Sequence, residues 1–216
     1  MIYWSARCSN GMSKTIALAM TGASGAAYGL RLLACLVNAG VRIYVMVSKP
    51  AQIVINAETD LTLPSQPADM AEVFSTVYQA APGQLHVFGR EQWFAPVASG
   101  SNPADAMVVC PCTSGTLSSI ACGASNNLIN RAADVMMKEQ RKLILVIRET
   151  PFSVIHLENM LRLAKMGVVI MPANPGFYHE PQSLQDLVDF MVARILDHLG
   201  LEQTLLKPWG EPSALV

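Results

Sequence analysis

What the chain lacks narrows it first. Its 216 residues hold no uninterrupted apolar run of about 18, the length a bilayer-crossing helix requires. Charge is scarce, 14% of residues, and the 15 basic and 16 acidic side chains cancel to a formal −1. That balance gives no global electrostatic reason to expect nucleic acid or an anionic membrane as partner. The five cysteines (Cys8, Cys35, Cys110, Cys112, Cys122) form neither a paired framework nor a CxxC metal repeat. They read as reduced, mostly buried thiols of a cytoplasmic protein. The opening MIYWSARCSNG has no long apolar stretch and so is no secretory signal. Neither GxGxxG nor a Walker GxxxxGK[ST] occurs, which removes the dinucleotide fingerprint and disfavours nucleotide triphosphate hydrolysis.

What is present is apolar. At 51% apolar residues the chain has ample material for a core, with enough left over to favour a homo-oligomer, and no compositional case for disorder. Residues 1–12 read as a leader outside the fold, since Met12 opens a more conventional start, MSKTIALAM. Residues 13–210 read as one domain and 211–216 as a C-terminal tail.

Short apolar runs alternate with helical patterns along that domain. IALAM (16–20), VRIYVMV (41–47), AMVVC (106–110), LILVI (143–147) and VVIM (168–171) are bounded by Gly, Pro or polar residues, as suits strands buried on both faces. Residues 25–39 predict a helix stopped by Gly40. Residues 183–199 predict another, with Ser183 as N-cap, Gly200 as stop, and Leu184, Leu187, Val188, Met191, Ile195 and Leu199 on one stripe. The stretches 59–70 and 80–104 read as long connections or edge elements. The pattern predicts an α/β fold: a doubly wound parallel sheet in a three-layer, single domain.

In such folds ligands gather beyond the carboxyl ends of the strands, and four loops fall there. TGASG (21–25) can turn tightly on Gly22 and Gly25 and offer helix N–H groups to an anion, or can serve only as a turn. In SKPAQ (48–52), Ser48 either meets a ligand or caps a helix starting near Pro50, and spacing favours the cap. PCTSGTLSS (111–119) gathers Thr113, Ser114 and Thr116 at a helix start, with Gly115 allowing close approach; capping needs one hydroxyl, and this density favours a ligand. RETPFS (148–153) places the pair Arg148–Glu149 at a strand end, a costly place for idle charge. Beyond these, Arg131 and Lys138 lie seven apart on one helical face, His179 sits in the turn-rich NPGFYHEPQ, and Met136 and Met137 read as packing residues. Two anion cradles suggest two phosphorylated ligands, a cofactor and a substrate.

TGASGAAYGLRLL, CPCTSGTLSSIACGASNNLINRAADVMMKE, RETPFSVIHLENMLRLAKMG and MPANPGFYHEPQSLQDLVDFMVARILDHLG, in this order, resemble the flavin prenyltransferase family of the UbiX/Pad type over residues 13–210. The resemblance implies a flavodoxin-like (Rossmann-like) fold in a homo-oligomer, a dodecamer, with active sites between subunits. It implies transfer of the dimethylallyl group of dimethylallyl phosphate to reduced FMN. The product, prenylated FMN, would serve a UbiD-type decarboxylase, often in ubiquinone biosynthesis. It implies no metal, and the chain has no DDxxD-like carboxylate cluster.

Carried over, Gly22, Ala23, Ser24 and Ser48 would meet FMN, with Thr113, Ser114, Gly115, Thr116 and Arg148. Arg131, Lys138, Tyr178 and Arg194 would hold dimethylallyl phosphate, some from neighbouring subunits. Ser24 and Glu149 would be catalytic, Glu149 handling a proton and Ser24 assisting near the flavin. Trp93 and Trp209 could face the allyl cation or simply pack. A rival group, the FMN-dependent cysteine decarboxylases, shows a histidine after the first Gly-Ala turn and a PASANT-like loop. Here GAAYGLRLL has no histidine and the loop reads PCTSGT. A non-catalytic FMN-binding scaffold is the other alternative, but it has no need of a second phosphate site.

Overall fold

The computed structural model describes residues 14–207 and Gly210. The expected leader, the tail 211–216 and Trp209 lie outside the described residues.

Six strands run β1 (Thr15–Met20), β2 (Arg42–Val47), β3 (Leu85–Phe88), β4 (Ala106–Cys112), β5 (Lys142–Ile147) and β6 (Val169–Pro172). They form one sheet in the order β3-β2-β1-β4-β5-β6, every neighbouring pair parallel. The first register, Thr15 opposite Arg42 through Met20 opposite Val47, is unbroken. Setting aside the short edge strand β3 leaves the strand order of flavodoxin-like folds.

Alternation along each strand builds two cores. Ile16, Leu18, Met20, Ile43 and Val45 face one layer, made by α1 (Ala26–Asn38), α2 (Lys49–Glu58), α3 (Pro67–Tyr78) and α7 (Leu184–Leu199). Ala17, Ala19, Tyr44 and Met46 face the other, made by α4 (Ser114–Ala121), α5 (Leu128–Lys138), α6 (Val154–Lys165) and a 3-10 turn (Pro96–Ala98). This is why the strands read as continuous apolar runs: both faces are covered. Leu32, Leu33 and Leu36 of α1 are fully buried, each stabilising by roughly 1.5–3 kcal/mol. Gly29 lets α1 sit close on the sheet, because a Cβ there would lie 2.4 Å from the Cys110 carbonyl oxygen.

All five strands expected from apolar runs are present, as are both predicted helices. Ser183 caps α7 through Asp186 N, and Gly40 and Gly200 close their helices at φ 68° and 64°. Of the stretches read as connections or edge elements, 80–104 does carry an edge strand, β3. The stretch 59–70 instead ends in α3, whose Pro67 reads as loop punctuation yet suits a first helical position. Cys110 and Cys112 sit in opposite cores, although residues two apart on a regular strand share a face; the register of β4 shifts between Val109 and Cys112.

Candidate functional site

β1 and β4 are neighbours in the sheet, but the helices that follow them, α1 and α4, pack on opposite faces. A crevice therefore opens at their carboxyl ends. Thr21, only 4% exposed, ties the two loops together. Its hydroxyl donates to the Pro111 carbonyl at 2.8 Å and accepts from Thr113 N at 2.9 Å.

The crevice holds a cavity of about 260 Å³. Thr21, Gly22, Ser48, Thr113 and Thr116 form its polar side, Met46, Phe88 and Leu128 its apolar side, and Asn127 and Asn130 a further polar wall. The volume falls just under the roughly 300–1,000 Å³ of whole small-molecule sites. Gly22 is required here by close approach: a Cβ would lie 2.4 Å from the Pro50 Cβ. Ser48 does cap α2, its hydroxyl accepting from Ala51 N at 3.1 Å, while also facing the cavity. The capping role expected of Ser48 is thus observed, and the residue also lines the cavity.

The start of α4 is built for an anion. Thr113 Oγ1 accepts from Thr116 N at 3.0 Å and donates to Thr116 Oγ1 at 2.9 Å, which fixes both hydroxyls. The first α-helical bond runs from Leu117 N to Thr113 O, so the N–H groups of Ser114 and Gly115 point outward by helix geometry. A Cβ on Gly115 would meet only Thr113 Oγ1, at 4.0 Å, so the protein leaves that space open. Arg148 leaves β5 beside this loop, its N–H donating to Cys112 O at 3.3 Å. The Arg148 Nε is buried with no hydrogen-bond partner among the described residues. An orphaned donor of that kind costs roughly 1–3 kcal/mol unless a ligand satisfies it. The open glycine, the paired hydroxyls and the orphaned Nε of Arg148 fit the phosphate and polar edge of a flavin nucleotide.

The turn TGASG departs from its expected role in one respect. The N–H groups it was expected to offer an anion are taken by Glu58, at the end of α2. Glu58 Oε2 accepts from Gly25 N at 2.8 Å and Ala26 N at 2.9 Å. Gly25 is the α1 N-cap at φ 102°, a conformation that favours glycine, and has no side chain to do the capping. Burial pushes the Glu58 carboxyl up, but hydrogen bonds from the Ser24 hydroxyl and the Ala26 and Gly25 amides, with the Arg148 charge, outweigh it and hold it below the ordinary value. Ser24 is thus wired to a carboxylate that sequence reasoning did not single out. The only signal would have been an acid able to reach a cap-less glycine from 33 residues away.

The four residues expected to hold dimethylallyl phosphate are not gathered by one chain. Arg131 and Lys138 lie on α5 in one layer; Arg194 lies on α7 in the other, with Tyr178 packed edge-on against Phe190 of α7 at 5.6 Å. Arg131 donates to Ala98 O at 3.0 Å and pairs with Asp134 at 2.9 Å. Lys138 pairs with Glu139, and Arg194 with Asp197 at 2.8 Å. Glu149, half-buried, accepts from Thr150 N at 3.2 Å next to Arg148. His179 stacks on Phe190 at 5.2 Å, and neither ring nitrogen has a partner among the described residues. Met136 is buried and Met137 packs on the same core, while Trp93 is 44% exposed. Among the described residues no group of three or more His, Cys, Asp or Glu is placed to hold a metal, and no helix is long and apolar enough to cross a membrane.

A parallel α/β sheet with anion-binding helix starts at its switch point is the architecture of a nucleotide-type flavoprotein, and the profile of the Flavoprotein family matches residues 5–196. Flavin prenyltransferase UbiX of Pseudomonas aeruginosa is 59% identical over 196 residues, spanning 91% of this chain and 94% of that one. UbiX of Methanothermobacter thermautotrophicus is 44% identical, spanning 91% and 95%. The crystal structure of AnUbiX (PadA1) in complex with FMN and dimethylallyl pyrophosphate superposes with a TM-score of 0.82 at 40% identity, over 92% of this chain and 98% of that one. A dodecameric FMN-dependent UbiX-like decarboxylase from Escherichia coli O157:H7 gives 0.80 at 39%, over 91% and 100%. The chain belongs to the flavin prenyltransferase (UbiX) family. The cysteine decarboxylase TvaF, at 21% identity and a TM-score of 0.53, shares the fold alone.

Proposed function

We propose that this chain transfers the dimethylallyl group of dimethylallyl phosphate to reduced FMN, with Ser24 and Glu149 in the chemistry and the donor phosphate held between subunits of a homo-oligomer. The observation that carries the flavin half is the crevice itself: open space at Gly115, hydroxyls fixed at Thr113 and Thr116, and the orphaned Nε of Arg148. Gly22, Ala23, Ser24, Ser48 and Ser114 complete the flavin contacts in this reading.

Reduced FMN supplies the electron-rich ring that accepts the allyl carbons. The chain must do the rest. Breaking the allylic C–O bond leaves positive charge on the allyl group and negative charge on the phosphate. Arg131, Lys138 and Arg194, with the Tyr178 hydroxyl, hold that phosphate and stabilise its growing charge. Their separation onto opposite layers of one chain supports a donor site completed by a neighbouring copy, consistent with a dodecamer. Glu149, next to Arg148 at the end of β5, gives a proton to the departing phosphate. Ser24, hydrogen-bonded to the Glu58 carboxylate, holds or moves a proton at its Oγ on the flavin side. The product is prenylated FMN for a UbiD-type decarboxylase, made in the cytoplasm. Anaerobic incubation with reduced FMN and dimethylallyl phosphate, read by the mass of the extracted flavin, tests the reading.

A further inference from the structure

Resting on the flavin reading of the crevice, we infer that Lys49 and Arg90 supply the countercharge for the phosphate of FMN and so make the site select FMN over riboflavin. The cavity lining carries these two cations and no carboxylate, in a chain whose formal charge is −1. Among the described residues neither side chain is in an ion pair, whereas Arg131, Lys138 and Arg194 each are. Both side chains are exposed at the cavity, which carries no neutralising acid of its own.

Backbone geometry points the same way. Lys49 is the first residue of α2, Thr113 is the N-cap of α4, and Leu128 opens α5; all three starts line the cavity. Three helix dipoles thus present their positive ends to one space. Arg90 is held at the wall by its own backbone, its carbonyl accepting from Leu128 N at 2.8 Å, which ties it to the start of α5. The buried Asn130 side chain, its Nδ2 donating to Asn126 Oδ1 at 2.9 Å, completes the wall. A ring system or a sugar-like chain has no use for two cations and three helix starts. A dianionic phosphate does. Two phosphates are in play, those of FMN and of dimethylallyl phosphate; the position of Lys49 and Arg90, among the hydroxyls of Ser48, Thr113 and Thr116, assigns them to the FMN phosphate.

The test is flavin binding without any prenyl donor, read by flavin fluorescence, for FMN and riboflavin in parallel. Lys49→Ala and Arg90→Ala should each weaken FMN about fivefold to tenfold, as expected for partly exposed charge-assisted contacts, and leave riboflavin unchanged. Lys49→Arg should retain FMN affinity, and added salt should weaken FMN in the wild type more than in the double variant. Unchanged riboflavin binding also certifies the fold of each variant. Equal losses for both flavins, or no loss for either, would overturn the inference. So would unchanged FMN affinity combined with a raised KM for dimethylallyl phosphate. Because no prenyl transfer is measured in the binding arm, its outcome stands apart from that of the transferase reading.

Discussion

Glu58 Oε2 accepts the Gly25 N–H at 2.8 Å, so the last residue of α2 closes the first turn of α1. Ser24 adjoins the same carboxylate and, with the Gly25 and Ala26 amides, helps hold it ionised. A helix start that resembles an open phosphate cradle in sequence is occupied by an internal acid, and Ser24 stands beside that acid.

Glu58→Gln should lower stability near pH 7 by about 0.5–1 kcal/mol, the range for a solvent-screened charge at a helix start. A carboxyl held below its unfolded value adds stability above that value and loses it as pH falls through the folded one. The difference between wild type and variant should therefore fade below the ordinary 4.5 of a glutamate. Denaturant unfolding at a series of pH values measures it; a gap constant from pH 7 to 4 contradicts the assignment.

Ser24→Ala should slow prenyl transfer about 10²-fold, the lower end for a lost proton-handling group, while FMN affinity changes little. Single-turnover rates set against flavin titrations separate the two. Matching losses in both would make Ser24 a binding residue only.

Arg148→Lys should weaken FMN about tenfold despite keeping the charge, because lysine has no group at the position of the orphaned Nε. Flavin fluorescence titration checks it. Wild-type affinity in this variant would mean that the guanidinium fork is not used.

Arg131→Ala and Arg194→Ala should each be nearly inactive, yet mixing and reassembling the two should recover part of the activity. If the cations reach one phosphate from different copies, some hybrid sites are intact. Assay of co-refolded mixtures against each variant alone decides it, and no recovery would place all the cations within one chain.

The sheet was legible because burial on both faces writes apolar runs such as LILVI directly into the sequence. Ser183, Gly40 and Gly200 were legible because capping is local chemistry. α3 was not, since Pro67 marks a loop and a helix start alike and the helix shows little besides Met70 and Phe74 as buried anchors. In the crevice, Gly22, Ser48, Thr113 and Thr116 could be read from loops at strand ends. Glu58, Lys49, Arg90 and Asn130 could not, because their places depend on how α2 and α5 pack against loops distant in sequence. The grouping of Arg131, Lys138, Tyr178 and Arg194 came from family resemblance. Spacing could pair Arg131 with Lys138 on α5, but one chain keeps that pair on the opposite layer from Arg194, so no spacing within the sequence could have joined the two.

The most direct measurement is the mass of the flavin after anaerobic incubation of the protein with reduced FMN and dimethylallyl phosphate. A flavin heavier by one five-carbon unit, formed by the wild type and strongly reduced in Glu149→Gln, is the expected result. FMN bound but recovered unchanged in mass, with Glu149→Gln indistinguishable from the wild type, would contradict prenyl transfer at this site.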